Sequence, residues 1–399
     1  MQKMQKMKEE PSLIRWLIRS IDGDAYRAGR LSGMKHPKVD QRMIDATGGM
    51  RLLIAQVEEL EEAGLLKAEK RNLGADLVKL EYPVSIMPEL CRRAGIEDPR
   101  KRQIRYIAKT QVWLKETEGT YLEPYYRSVL KRLEEGQDVR NPDMEDDAFF
   151  RCLNAIPTLE KPMWRHVFSA SVLGDSKLFE RQYETRVLTV LTDRSPLYVE
   201  GMTNTEVLSA HGILTYSQTL EWKGPLCYCL DGETVIDSSD CRYGTVINAQ
   251  TLEHARPYAL PSVKKVVVIE NKANYEDMQY RDDTLFVYCH GFFSPKETEF
   301  LRKITDVAVP GIQYLHWGDM DLGGIRIFLY NRKQIFPELR PYRMNREEFE
   351  RALSEGAGIS LKKDKRENLE KMDAGELEDL KMCILETGKE IEQEVLIGV

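Results

Sequence analysis

Apolar residues recur at helical spacing in two stretches near the start of the chain, PSLIRWLIRSI (11–21) and RMIDATGGMRLLIAQVEELEEA (42–63). A three-to-four-residue period predicts amphipathic helices, each turning one apolar face to a core. Gly64 stands where the second would end and suits a left-handed cap. The next runs, LLKAEKR and ADLVKLEYP, are joined by the turn-like Asn72-Leu73-Gly74 and predict a hairpin. Helices followed by a two-stranded wing form a winged-helix pattern, a module that serves DNA binding or protein binding.

The pattern then becomes strongly basic. Residues 91–115 collect Arg92, Arg93, Arg100, Lys101, Arg102, Arg105, Lys109 and Lys115 against Glu97 and Asp98. Pro99 is placed to open a helix here, with Tyr106 and Trp113 among the charges. Such a helix either tracks a phosphate backbone or forms a solvated arm. The polar stretch 134–147 marks a boundary. Residues 163–191 then read as helix, turn, helix, with Gly174-Asp175-Ser176 as breaker and caps and Lys177, Arg181 and Arg186 on the second helix. A short helix ends near His211-Gly212. The β-rich runs LCYCLDGETVI and TVINA lead into residues 263–330, where strands VKKVVVIE, TLFVYCH and IQYLHW alternate with helices, PKETEFLRKI (295–304) being the clearest. That alternation predicts a parallel α/β sheet. Residues 345–399 are highly charged and mostly helical in pattern.

The divisions imply an α+β multidomain chain. Residues 1–10 read as disordered or extraneous to the fold, 11–85 as a winged-helix-like domain, and 86–150 as a helical arm and linker. Residues 151–205 form a second helix-turn-helix domain, and 206–399 an α/β domain with a β-rich opening segment and C-terminal helices. A length of 399 residues agrees, being more than one ordinary core holds. Apolar content of 42% with 31% charge fits a soluble globular protein. No apolar run approaches the roughly 20 residues of a membrane span, and the polar start MQKMQKMKEE lacks a signal-peptide core, so a cytoplasmic location is expected. The net charge of −7 argues against a surface wholly coated for nucleic acid but leaves room for local basic patches. Seven cysteines form no CxxC pair, and Cys227 and Cys229 lack a matching second pair, so reduced structural thiols are expected rather than a zinc site.

Candidate chemistry lies in HWGDMDLGG, His316 to Gly324. With 65 acidic residues in 399, about ten acid-x-acid pairs arise by chance, so Asp319-Met320-Asp321 gains its meaning from context. The runs before Glu270 and before Asp319 are apolar enough for central parallel strands, and ligands of open α/β sheets bind beyond the carboxyl ends of strands. Residues two apart point the same way in extended chain, so both aspartates can approach one cation. Gly323-Gly324 lets the backbone turn into a helix close to a phosphate. Three clustered carboxylates call for a cation, and oxygen-only ligation selects Mg2+ or Mn2+. Phosphodiester chemistry suits such a site. The bland alternative is capping aspartates and a strand-end glutamate in a solvated loop. His290 and His316 read as packing or hydrogen-bonding residues, and Glu392 and Glu394 as part of an exposed charged helix.

The series IENKANY (269–275), HGFFS (290–294) and HWGDMDLGGIRI (316–327) resembles the Toprim domain, in which a glutamate follows the first strand, a glycine marks the second and DxD follows the third. Here those positions are Glu270, Gly291, Asp319 and Asp321. Upstream, FSASVLGDSKLFER (168–181) and EVLSAHGI (206–213) are similar to one subgroup, the JetD nucleases of Wadjet anti-plasmid systems, relatives of the topoisomerase VI A subunit. The resemblance covers residues 160–399 well and the first 150 loosely. It implies a CAP-like winged helix before the Toprim domain, and a homodimeric, Mg2+-dependent DNA endonuclease. Its implied partners are an SMC-type ATPase complex with kleisin-type subunits and double-stranded plasmid DNA. Asp319 and Asp321 would coordinate metal, while Glu270 shares it or acts as general acid/base. The related topoisomerases attack with a tyrosine in an Arg-x-x-Tyr-Tyr context. Tyr125-Tyr126 follow Leu122-Glu123-Pro124 instead, and Tyr183 also lacks that context, so metal-assisted hydrolysis is expected over tyrosyl transesterification. A non-catalytic winged-helix adaptor is the alternative of another class.

Overall fold

The computed structural model describes residues 12–71, 76–140, 142–215 and 218–396. Two compact units divide the chain between Pro157 and Thr158. The expected leader (1–10) and the hairpin turn Asn72-Leu73-Gly74 lie outside the described residues.

The first unit contains α1 (Leu13–Ile21), α2 (Asp24–Arg27), β1 (Met34–Lys35), α3 (Gln41–Ala46), α4 (Met50–Glu62), β2 (Lys67–Arg71), β3 (Asp76–Pro83), α5 (Met87–Ala94), α6 (Pro99–Glu116), α7 (Glu123–Glu134) and α8 (Asp147–Ala155). The single helix expected over 42–63 is two helices. Gly48 and Gly49 adopt φ of 87° and 111°, which breaks the hydrogen-bond ladder where only glycine is comfortable. Gly64 does close α4, with φ of 70° and the Leu65 N–H donating to the Leu60 carbonyl at 2.9 Å. Strand β3 pairs antiparallel with both β1 and β2, and its Leu77, Leu80 and Tyr82 join Leu13, Leu17, Leu53 and Val57 in one core. Pro99 opens α6 as expected, and Asp98 accepts the Arg100 N–H at 2.9 Å. Trp113 leaves the basic face of α6 to stack on Phe150 at 3.9 Å.

The second unit opens with β4 (Met163–Trp164), α9 (Arg165–Leu173), a π-helical turn (Phe179–Tyr183) running into α10 (Glu184–Arg194), α11 (Asn204–Ala210) and β5 (Ile213–Leu214). Gly174 ends α9 in the left-handed region, and Asp175 accepts the Lys177 N–H at 2.7 Å. Then follow β6 (Thr219–Lys223), β7 (Cys227–Leu230), β8 (Thr234–Asp237), β9 (Thr245–Asn248), α12 (Ala249–His254), β10 (Ala255–Ala259), β11 (Lys265–Ile269), α13 (Lys272–Asp277), β12 (Thr284–Tyr288), α14 (Pro295–Arg302), α15 (Ile304–Val307), β13 (Gln313–Trp317), α16 (Leu322–Gln334) and β14 (Arg340–Pro341). The chain closes with α17 (Arg346–Ser354), β15 (Ile359–Ser360), α18 (Lys363–Lys371), α19 (Glu378–Thr387), β16 (Lys389–Glu390) and a 3-10 turn, Gln393–Leu396.

The main sheet has six strands in the order β14-β13-β11-β12-β6-β9. Its first four are mutually parallel, and β6 adds antiparallel at β12. Val266, Val267, Val268 and Ile269 of β11 are all buried, as a strand covered on both faces requires. A second sheet, β10-β7-β8, is antiparallel and carries Cys227 and Cys229 on β7. All seven cysteines are free thiols. Among the described residues no helix is long and apolar enough to cross a membrane.

Candidate active site

Register brings the two acidic loops together. Ile269, the last residue of β11, pairs with Trp317, the last of β13, and the Glu270 N–H donates to the Trp317 carbonyl at 3.0 Å. The strands therefore end level, and the next residues, Glu270 and Gly318, come side by side. A Cβ on Gly318 would stand 2.4 Å from Glu270 Oε2 and 3.0 Å from His316 Nε2. Lacking one, Gly318 leaves room for the carboxylate, which accepts a long bond of 3.4 Å from the Asp319 N–H. Gly324 is fixed by a similar approach, because a Cβ there would lie 2.0 Å from the Asp319 carbonyl oxygen. That glycine serves the passage of α16 past the DxD backbone, a reason visible in protein contacts and separate from the phosphate approach expected of it.

The DxD aspartates take different partners. Asp319 accepts the Gln393 N–H at 2.7 Å. Asp321 is the N-cap of α16, accepting the Gly324 N–H at 2.8 Å, and its other oxygen receives Lys365 Nζ at 2.9 Å. Lys365 also binds Glu390 at 2.9 Å. Two-residue alternation would place both aspartates on one side, but Asp321 turns into the helix cap and meets an ammonium. Among the described residues, no group of three or more His, Cys, Asp or Glu side chains is arranged to hold a metal ion.

The remaining charge is costly where it sits. Burial, then the carboxylates of Asp319 and Asp321, push Glu270 up to about 8. Burial raises Asp319 to about 6 despite the Gln393 N–H, with Asp321, Glu394 and Glu392 adding to the rise. Both shifts mark carboxylates that lack a sufficient countercharge. The tail also departs from expectation. Glu392 and Glu394 are exposed, but Glu392 follows the bridged Ile391 with no regular structure and Glu394 lies in a 3-10 turn, rather than both on one charged helix. Met320 and Ile391 exchange backbone bonds of 2.9 and 3.2 Å, laying this segment along the DxD loop.

Gly291 adopts φ of 121°, and a Cβ there would meet Glu206 Oε1 at 2.4 Å. Glu206 accepts the Phe292 N–H at 2.9 Å and also closes the capping box of α11 with Thr203. Its charge adds to the rise at Glu270. His290 Nε2 bonds Glu297 at 3.0 Å; burial disfavours its charge, but Glu297 carries its pKa above the usual value. His316 is fully buried, and neither ring nitrogen has a partner among the described residues; burial pushes it down to about 3, so it is neutral. Tyr126 is buried with its hydroxyl on Asn154, and burial raises its pKa. Tyr183 is 8% exposed.

Glu206, Lys365, Glu390 and Gln393 were missing from the sequence-derived site. Thr203-x-x-Glu206 is legible as a capping box, but its second bond to the strand-end loop depends on tertiary packing. Lys365 and Gln393 sit in charged or polar runs with no distinguishing pattern.

The arrangement defines a mixed helix and sheet protein with a half-buried acidic centre at the carboxyl ends of parallel strands. A family model described as Wadjet protein JetD, C-terminal, matches residues 234–399. A protein described as Wadjet protein JetD, from Bacillus cereus (strain Q1), is 26% identical over 338 residues, covering 82% of this chain and 80% of the relative. Both similarities are to JetD proteins, the first within the second unit and the second over most of the chain.

Proposed function

We propose that this chain is a Mg2+- or Mn2+-dependent DNA endonuclease that serves a Wadjet-type defence system. Similarity to a Wadjet JetD protein supports a role in such a system. The observation that carries the chemistry is the Glu270–Asp319 pair, two carboxylates held against burial and against each other at adjoining strand ends. The four parallel strands and their two acidic loops support the Toprim reading. Helices ahead of an antiparallel hairpin in the first unit, and the helix-turn-helix of the second, support winged-helix readings. Partners are proposed by resemblance: a second copy of the chain, an SMC-type ATPase complex with kleisin-type subunits, and double-stranded plasmid DNA.

The donor chemistry suits a hard divalent cation, since every candidate ligand is a carboxylate oxygen. Glu270 and Asp319 would hold it; Asp321 joins only if Lys365 gives way. When bound, the cation would polarise the phosphodiester and activate water. Alternatively Glu270 stands off the cation, and its raised pKa then suits it to hold or release a proton at the scissile oxygen near neutral pH. Gly318 keeps that carboxylate in place, and the backbone N–H of Gln393 orients Asp319. Tyrosyl transesterification has less support: Tyr126 and Tyr183 are buried, and the half-buried Tyr125 lacks the Arg-x-x-Tyr-Tyr context.

The test incubates purified protein, alone and with its partner complex, with supercoiled plasmid and Mg2+ or Mn2+. Metal-dependent linearisation that is lost in Asp319→Asn supports the nuclease reading. Metal-independent DNA binding without strand breaks in both settings favours an adaptor. Protein left covalently on the DNA ends favours a transesterase.

A further inference from the structure

Gln393 joins the two halves of the acidic centre although it lies more than 70 residues from either strand end. Its backbone N–H donates to Asp319 Oδ1 at 2.7 Å. Its side-chain Oε1 accepts the Asn271 N–H at 2.9 Å, next to Glu270. Its carbonyl accepts Asn274 Nδ2 at 2.9 Å. One residue, 1% exposed, therefore bonds to the loop after β11 and to the loop after β13. Asn271 is itself the cap of α13, accepting the Ala273 N–H at 2.8 Å. Any movement of Asn271 thus shifts the turn that carries Glu270.

Two neighbouring contacts keep Gln393 in register. The Met320–Ile391 bonds fix the strand two residues before it, and Lys365 ties Glu390 to Asp321. Segment 389–396 consequently lies across the DxD loop. Hydrogen-bonded groups behind metal-ligating carboxylates set ligand orientation, and losing one commonly weakens metal binding about 10- to 100-fold.

We infer that the C-terminal segment is a clasp, and that Gln393 is a positioning residue which fixes the separation of Glu270 and Asp319 for a divalent cation. This rests on the metal-dependent reading given above. Gln393 sets the geometry through Asn271 and Asp319, and need not touch metal or DNA itself. The side chain contributes one bond, the Asn271 anchor; the other two come from its backbone and survive most substitutions.

That division makes the inference testable apart from simple packing. Gln393→Met keeps the side-chain volume but cannot accept the Asn271 N–H, whereas Gln393→Ala loses both volume and bond. Mn2+ binding to the full chain is measured by electron paramagnetic resonance, with melting temperature and metal-dependent plasmid cleavage followed in parallel. The clasp predicts that Gln393→Met still unfolds cooperatively, binds Mn2+ about tenfold more weakly, and needs correspondingly more metal for half-maximal cleavage. Equal Mn2+ affinity in wild type and Gln393→Met overturns the clasp while leaving the metal reading intact. Restored affinity in Met but not in Ala also overturns it, because volume alone would then explain the role. Failure of wild type to bind Mn2+ at all overturns both readings.

Discussion

Two regions of this chain concentrate charge, and they treat it in opposite ways. On α6, in the first unit, cations crowd the sequence, and the structure gives two of them, Arg105 and Lys109, acidic partners. Arg105 bonds Glu145 at 2.6 Å and Glu97 at 2.9 Å, and Lys109 bonds Asp147 at 2.8 Å. These groups are substantially exposed, so water and acids share the work of neutralising them. At the ends of β11 and β13, fewer charges meet in a more buried place, and among the described residues the ammonium bonded there, Lys365, is already held by Asp321 and Glu390. Local charge density in a sequence therefore says little about unmet charge. The unmet charge is where a ligand can gain binding energy, which is why the acidic centre carries the proposal.

The sharpest way to break the comparison is to neutralise the acidic centre. Asp319→Asn and Glu270→Gln are nearly isosteric, so each removes charge with little change of volume. Loss of plasmid cleavage by a factor on the order of 100 to 10,000 is expected for each, in the range typical of a lost acid–base or ligand group. The folded protein should survive, since desolvation currently penalises both charges. Cleavage rates within a few-fold of wild type for both variants would move the active centre elsewhere.

The glycines next to that centre separate fold from site. Gly324→Ala places a Cβ 2.0 Å from the Asp319 carbonyl, a backbone atom that cannot swing aside. Destabilisation of about 1–3 kcal/mol, as for an overpacked core position, should appear in denaturant unfolding. Gly318→Ala instead meets the far end of the Glu270 side chain at 2.4 Å. Its cost should fall mainly on metal affinity. Equal destabilisation by the two substitutions would show that the Glu270 side chain has no freedom to move.

How much of this was legible beforehand follows from the range of each interaction. The runs VVVI and IQYLHW foretold central strands because burial on both faces leaves a local apolar signature, and their ends located Glu270 and Asp319. The break at Gly48-Gly49 was also written in the chain, but the apolar period spanning 42–63 concealed it. Glu206, Lys365 and Gln393 left no such trace. Each acts across a separation that only tertiary packing closes: Glu206 reaches Phe292, Lys365 reaches Asp321, and Gln393 reaches Asp319. The turn of Asp321 into the α16 cap likewise overrode the two-residue alternation, because helix capping claims an aspartate before a strand-like side can form. On α6 the basic count was plain, but the acids that answer it, Glu145 and Asp147, lie about 40 residues on.

A pH series sharpens the contrast with a smaller effect. Glu270 rises from 4.5 to about 8 on folding, so the folded state holds its proton more tightly than the unfolded state between those values. Its contribution is therefore destabilising as pH increases: stability of the metal-free protein falls through that window and levels off above about 8. Asp319, rising from 3.8 to about 6, steepens the lower part. Metal affinity should change in the opposite direction, strengthening with pH as protons leave the ligands. Denaturant unfolding at several pH values checks this, with Glu270→Gln as the reference. Superimposed wild-type and variant curves between about pH 6 and 8 would mean that Glu270 is ordinary.

The smallest effect is expected on α6, and it tests the other side of the comparison. Arg105 is 38% exposed and shares Glu97 and Glu145, which are 43% and 50% exposed. Arg105→Ala should change unfolding stability by about 1 kcal/mol or less, since exposed ion pairs are screened and entropically costly. Its effect on DNA binding should be smaller than its charge suggests. A lysine or arginine that neutralises a phosphate contributes about one unit to the slope of log affinity against log salt. A guanidinium already held by two carboxylates must lose them first, and its net counterion release is then near zero. DNA titrations over a salt series should give the same slope for wild type and Arg105→Ala. A drop of about one unit would show that Glu97 and Glu145 yield Arg105 to phosphate, and α6 would then join the acidic centre as a place where charge is held ready for DNA.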